Sequence, residues 1–372
     1  MGFFKKYKRD ELSRIRFRGS ATPAVDDQFL IRPEEAVGAL FLILLVAMSL
    51  GHSRPIFEPL RDSRLTYLSA QFFVLLMVCV GLWTLVQRFT PGRREAAEGG
   101  WQTIWRAARD WTPAIMLLGI YESLKHLHLN EIILWLGNTP KDQFMMRVDL
   151  AFFGGHASVW LQSIVSEPMT VFMKLVYYVG YYVYPAVVGV FLYLFRPRVA
   201  FRELVLAILS TAFIGYTIYI LVPVAGPRFE MPHLYHTTFE LKWTLQQRME
   251  QMRFDYDCFP SLHTAMPLVV MMVAFRHCRW LGYVLLPFVL ATVVSTLYLQ
   301  MHYLIDVVAG IALVPICLWI GTRGDGWWLR VTRLLRGRTS ERERSPVAAR
   351  LLKIMQVVLV VIAALWVTWR MV

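Results

Sequence analysis

Apolar residues run along this chain in long blocks, not in the alternation of a strand or the one-sided stripe of a surface helix. One block is centred on 36–50 (AVGALFLILLVAMSL), and others lie near 65–87, 111–129, 171–195, 201–222, 262–276, 280–300, 303–321 and 352–371. Crossing the hydrocarbon takes about 20 apolar residues, fewer where tilt or interfacial groups make up the difference. The pattern therefore predicts an all-α, polytopic membrane protein with about nine transmembrane helices. The block at 262–276 is short. The block at 111–129 is the most polar, with Glu122, Lys125, His126 and His128 inside it.

Two stretches break the pattern. Residues 140–168 mix apolar and polar groups, with apolar positions often three and four apart, as expected of a broken amphipathic helix lying along the interface. Residues 223–262 form the longest loop on their side of the membrane. The expected organisation is a basic N-terminus (1–33), two helices with their loop (34–110), a six-helix catalytic core (111–321), a basic linker (322–350) and a last helix (351–372). No internal repeat is visible, and the low-complexity stretch is the Arg/Glu/Ser-rich 336–350.

Composition agrees with a lipid environment. Of 372 residues, 56% are hydrophobic and 17% charged, against roughly 45–50% and about 25% in soluble domains. The 39 Lys+Arg exceed the 26 Asp+Glu by 13. In a soluble protein such a balance would point to nucleic acid. Here the basic residues sit between apolar blocks, so they read as loop charge and no nucleic-acid partner is expected. Segments 1–33, 88–110, 196–202, 276–279 and 322–350 carry the Lys/Arg excess, which predicts a cytoplasmic N-terminus and places 223–262 on the extracytoplasmic side. The first twenty residues are basic without an apolar core, unlike a secretory signal. Cys79, Cys258, Cys278 and Cys317 show no CxxC or Cys/His spacing, so neither a disulfide framework nor a metal site is expected.

Three polar clusters fall on that extracytoplasmic side. The first is Pro223-Val-Ala-Gly226-Pro227-Arg228-Phe229, the second Cys258-Phe-Pro260-Ser261-Leu-His263-Thr264, and the third runs from Ser295-Thr296 through Tyr298 and His302 to Asp306 and Gly310. At i and i+4 on a helix, His302 and Asp306 would share a face. A carboxylate on one imidazole nitrogen fixes the tautomer and leaves the other as nucleophile or base. An Asp within an apolar helix is a functional candidate by default; the competing reading is a structural hydrogen bond between helices. His263 is a candidate second acid or base. Ser261 and Thr264 stand where a helix N-terminus favours phosphate, although Ser261 also reads as an ordinary helix cap. Arg228 is a candidate phosphate fork or a snorkelling interfacial arginine.

The order and spacing of these clusters resemble the phosphatidic acid phosphatase type 2 superfamily. Pro260-Ser261-Leu262-His263 is similar to its Pro-Ser-x-His motif, and Ser295-Thr296, five residues, His302, three residues, Asp306 to its Ser-Arg-x5-His-x3-Asp motif. The resemblance covers about 100–320. Thr296 stands in place of the usual Arg, and Gly226-Pro227-Arg228-Phe229 in place of the usual first motif. The stretch from Ser295 to Asp306, with Asp149-Leu-Ala-Phe-Phe-Gly154, Trp160-Leu-Gln and Tyr177-Tyr-Val-Gly-Tyr-Tyr182 upstream, resembles the inositol phosphorylceramide synthase branch.

What the resemblance implies is a metal-independent, cofactor-free histidine phosphotransferase or phosphatase. His302, oriented by Asp306, would be the nucleophile and His263 the acid and base. Arg228, Ser261 and Thr264 would hold phosphate, with Gly226, Lys242 and Tyr298 in secondary roles. The expected partners are a membrane phospholipid or lipid phosphate as substrate and a lipid alcohol as acceptor. The alternatives are a lipid or isoprenyl phosphate phosphatase and, from another class, a proton-coupled transporter or non-enzymatic helix bundle using the His–Asp pair as a relay. The tyrosines Tyr177, Tyr178, Tyr181, Tyr182 and Tyr184 read as packing or an interfacial belt, His233 and His236 as solvated loop residues, and Glu122 as a buried hydrogen-bonding group.

Overall fold

The computed structural model describes residues 32–40, 106–114, 136–237 and 255–336, with side chains to 328, and single positions at 43, 117, 133, 134 and 239. The expected helices at 65–87 and 352–371, most of 111–129, Glu122 and Lys242 lie outside the described residues. The described residues are mostly helical, without named strands. We label the main helices α1 (Asp142–Phe153), α2 (Glu167–Phe195), α3 (Arg198–Leu221), α4 (Leu262–His277), α5 (Arg279–Tyr298) and α6 (Leu304–Arg336).

Among the described residues, four helices are long and apolar enough to cross a membrane: Glu167–Phe195, Arg198–Leu221, Arg279–Tyr298 and Leu304–Trp328. The fifth, α4, has 16 residues, fewer than the about 20 a lipid-facing span takes. Most of its apolar residues are buried against protein. Leu262, Ala265, Val269, Val270 and Val273 are buried among residues of α2, α3, α5 and α6. A helix that is apolar all round is a core element, and α4 is the centre of this bundle. Gly310 makes its crossing with α6 possible: a Cβ there would lie 2.6 Å from the Ser261 carbonyl oxygen.

Ahead of the bundle, 140–168 forms α1, a short helix Ala157–Trp160 and a 3₁₀ turn Leu161–Ile164. This is the broken helix that the spacing predicts. The buried residues of α1 are Asp142, Met145 and Asp149, three and four apart on one face. Within α2, Leu175–Gly180 winds as a π-helix, a widened turn often found at functional sites. At the other end of the chain α6 runs on to Arg336, so residues 322–336, expected as linker, continue the helix.

Candidate active site

The three polar clusters meet at one end of the bundle, where α3 ends, α4 and α6 begin and α5 ends. Main-chain hydrogen bonds stitch them together. Val224 pairs with Asp257, and the Cys258 amide donates to the Val224 carbonyl at 3.1 Å. The Arg228 amide donates to Gln300 O at 3.0 Å, and the Ser261 amide to Asp306 O at 3.0 Å. Each cluster is thereby tied to another through backbone atoms, which side-chain substitution leaves in place.

Two residues at these junctions adopt left-handed backbone. Gly226 has φ 110°, and a Cβ there would lie 2.8 Å from Met301 O and 3.1 Å from Cys258 Sγ. Both conformation and space demand glycine. Gln300 has φ 60°, a conformation that costs a non-glycine residue about 1–3 kcal/mol. Its carbonyl accepts from Arg228 and its Nε2 donates to Thr237 O at 3.0 Å, which holds the turn in place. The next turn residues donate to Thr296 O from the amides of Met301 (2.9 Å) and His302 (3.1 Å).

His302 therefore sits in a turn before α6, not on the helix face that an i, i+4 reading assumes. Asp306 lies in the first turn of α6. Their contact survives this difference: His302 Nδ1 is 3.5 Å from Asp306 Oδ2. That is longer than the 2.7–2.9 Å of a charge-assisted bond. Cys258 Sγ fills the corner between them, donating to Asp306 Oδ2 at 3.0 Å and lying 3.3 Å from His302 Nδ1. The Tyr303 amide also donates to Oδ2, at 2.8 Å. Oδ1 of Asp306 is buried with no hydrogen-bond partner. All three residues are inaccessible, at 0% exposure for Cys258 and Asp306 and 3% for His302.

His263 faces this group from the first turn of α4. Its ring centroid is 6.2 Å from that of His302. On its other side it stacks on Tyr177 at 4.1 Å, nearly parallel, and leans on Tyr181 at 4.4 Å. Tyr177 belongs to the π-helical segment of α2, so the widened turn carries the tyrosine that orients this imidazole. Tyr177, Tyr178 and Tyr184 are buried as packing residues; that Tyr177 packs on His263 has no signal in a run of tyrosines.

Two carboxylates of α1 fix the loops around the histidines. Asp142 accepts from the amides of Ala225 (3.0 Å) and Gly226 (2.8 Å) and from the Tyr303 hydroxyl (3.2 Å). Burial, then the nearby Asp142 carboxylate, push the Tyr303 phenol upward from its ordinary value, so it stays a donor. Asp149 accepts from the amides of Leu304 (3.0 Å) and Ile305 (2.9 Å), capping the start of α6 from a separate helix. Burial raises the Asp149 carboxyl above its ordinary range, against the two amides that favour its charged form. Neither residue stands out as a site residue in the sequence, although their seven-residue spacing on a helix is a signal that two carboxylates share a face.

The remaining expected site residues separate into groups. Ser261 and Thr264 are fully buried, and the Thr264 hydroxyl donates to Ser261 Oγ at 3.1 Å. Ser261 precedes α4 without a side-chain capping bond, so the ordinary cap reading fails. Arg228 is half-buried in the turn Pro227–Glu230, its guanidinium 5.8 Å from the Phe229 ring centre. Tyr298 turns to α2: its hydroxyl lies 2.9 Å from Thr170 Oγ1, and its ring packs with Phe239. Thr296 is fully buried, with its hydroxyl on Val293 O at 2.7 Å. His233 and His236 are exposed. Cysteine spacing gave no hint of a ligand set, yet the donor atoms of Cys258, His302 and Asp306 lie within 4.8 Å of one another.

Apolar spanning helices around a buried histidine–carboxylate pair define an integral membrane protein with a polar centre at one end of its bundle. Residues 143–320, just under half of the chain, match a family model described as the PAP2 superfamily. The matched stretch begins in α1, ends in α6 and holds all three clusters. It suggests phosphatase or phosphotransferase activity on lipid phosphates. No curated protein and no solved structure matches the chain.

Proposed function

We propose that the protein is a membrane-embedded lipid phosphotransferase that cleaves a phosphodiester through a phosphohistidine and passes an inositol phosphate-like head group to a lipid hydroxyl. The observation that carries this reading is the pairing of His302, backed by Asp306, with His263 facing it across 6.2 Å. With Nδ1 turned to Asp306, Nε2 of His302 is the attacking nitrogen. The N–P bond forms as the bond to the leaving oxygen breaks, and His263 supplies the proton that oxygen takes. His263 then draws the proton from the acceptor hydroxyl, whose oxygen displaces His302. Arg228 and the first amides of α4 steady the non-bridging oxygens as charge builds.

Thr296 supports a diester substrate. Where the related motif has Arg, this chain has a buried hydroxyl bonded to its own helix, and a singly charged diester needs fewer cations than a monoester dianion. A second reading, a lipid or isoprenyl phosphate phosphatase with water as acceptor, is favoured by the family match, whose members are typically phosphatases. Incubating purified protein with head-group-labelled phospholipids, with and without a lipid alcohol, decides between them. New labelled lipid supports transfer, inorganic phosphate alone supports the phosphatase, and neither product refutes both.

The Lys/Arg distribution supports the extracytoplasmic face for the site. A thiol introduced at exposed His233 (His233→Cys), in a Cys79→Ser background, should react with an impermeant reagent from outside. Reaction only after permeabilisation inverts the topology.

A further inference from the structure

Cys258 is the one member of the buried centre to which phosphoryl transfer gives no role. Its Sγ is 3.3 Å from His302 Nδ1 and 3.0 Å from Asp306 Oδ2, and these two atoms are 3.5 Å apart. A tetrahedral zinc ion, with bonds of about 2.3 Å to sulfur and about 2.0–2.2 Å to nitrogen and oxygen, holds its ligand atoms roughly 3.4–3.6 Å apart. The observed triangle matches on one edge and is shorter by a few tenths of an ångström on the others, the sulfur–oxygen edge most. A small outward movement of the sulfur makes it one face of a zinc tetrahedron.

A second observation points the same way. Asp306 Oδ1 is fully buried and has no hydrogen-bond partner, whereas Asp142 and Asp149 use both oxygens. An unpartnered buried carboxylate oxygen is costly; a cation on Oδ2 would neutralise the carboxylate and so lower the cost of leaving Oδ1 without a donor. Among the described residues, no other three such donors come together.

We propose that Cys258, His302 and Asp306 form an inhibitory site for zinc, held by one thiolate sulfur, one imidazole nitrogen and one carboxylate oxygen, with water in the fourth position. On binding, the S–H bond of Cys258 is replaced by S–Zn and its proton leaves to solvent, with no change of oxidation state. The sulfur ligand selects a soft cation and discriminates against magnesium and calcium, which take oxygen ligands. Zinc on Nδ1 and Asp306 removes the carboxylate that orients His302, so turnover stops. The inhibition rests on His302 as the nucleophile; the binding site does not.

The test uses the full-length protein in detergent, stripped with chelator and titrated with zinc chloride. Zinc-edge X-ray absorption on the unaltered protein should show one sulfur at about 2.3 Å with nitrogen and oxygen neighbours. Cys258→Ser should lose that sulfur, and Cys278→Ser should keep it. Zinc should block turnover of labelled phospholipid reversibly, and magnesium should not. In Cys258→Ser the inhibition midpoint, measured against that variant's own rate, should rise roughly tenfold or more, because even outer-shell partners are worth about 10–100-fold in metal affinity. A zinc shell without sulfur, or one whose sulfur persists in Cys258→Ser, overturns the site. Sulfur-ligated zinc in a protein that turns over normally overturns the inhibition. The same shell in a protein without phosphoryl-transfer activity keeps the site and refutes the proposed function.

Discussion

The two ends of the bundle bury ionisable groups by opposite means. At the end away from His263 and His302, carboxylates meet guanidiniums and, at His277, an imidazole. Arg202 bonds Glu34 at 3.0 Å and Asp325 at 2.7 Å, Arg32 bonds Asp110 at 2.5 Å, and Glu203 pairs with Arg276 and, at 2.8 Å, with His277. At the histidine end, Asp142, Asp149 and Asp306 accept from main-chain amides, a phenol and a thiol. Opposite charges neutralise each other and hold helices together. Held by an amide and a thiol and not by a guanidinium, Asp306 is left to orient the imidazole beside it. The first arrangement ties 32–35 and 106–114 to the core; the second makes a centre that can do chemistry.

If that contrast is right, substitutions at His302, Asp306 and Arg228 should act chiefly on rate and those at the other end on stability. His302→Ala should abolish turnover while leaving the helical circular dichroism and gel-filtration profile unchanged, and Asp306→Asn should leave a small residue of activity. Vanadate, which mimics pentacoordinate phosphorus on imidazole, should inhibit the wild type. Next in size is Arg228. Losing a charge-assisted donor aimed at the transition state costs about 2.7–4 kcal/mol, or roughly 10²–10³ in rate. Arg228→Lys should do nearly as badly as Arg228→Ala, because a point charge does not replace a bidentate fork.

Asp149→Asn should have a smaller effect on rate and a clear one on the pH dependence of stability. Burial raises the Asp149 carboxyl in the folded chain, so the folded state binds this proton more tightly than the unfolded one. Its stabilising contribution is complete below the ordinary carboxylate value and is lost as pH climbs through the raised one. Thermal melts across mildly acidic pH should show that decline in wild type, and a flatter profile in Asp149→Asn. The smallest effect on rate belongs to Glu203→Gln. It should lower stability by about 1.5–3 kcal/mol, as expected for hydrogen bonds to a charged group, with activity per folded molecule close to wild type. A rate loss there as large as at Arg228 would erase the contrast between the ends.

How much of this was legible in the sequence differs between the bundle and its centre. Apolar block length located α2, α3, α5 and α6, because spanning helices must be long and apolar. It also located α4, although most of the apolar residues of α4 are buried against protein. His302, Asp306 and His263 were legible because polar groups are conspicuous at the ends of apolar blocks. What joins them was not. Cys258 is 44 residues from His302, and no local spacing records a contact made between two helix starts. Asp142 and Asp149 act by accepting amides from 225–226 and 304–305, and any buried helix face could carry such residues. Tyr177 reaches His263 from a π-helical turn, whose widening leaves no mark in composition.

The central claim is that His302 carries the phosphoryl group. Rapid-quench treatment with phosphorus-labelled phospholipid, followed by peptide mapping, tests it directly. Acid-labile, base-stable label should appear on the peptide containing His302 and be absent from His302→Ala. Label on another residue, or full turnover with no labelled protein at any quench time, would contradict it.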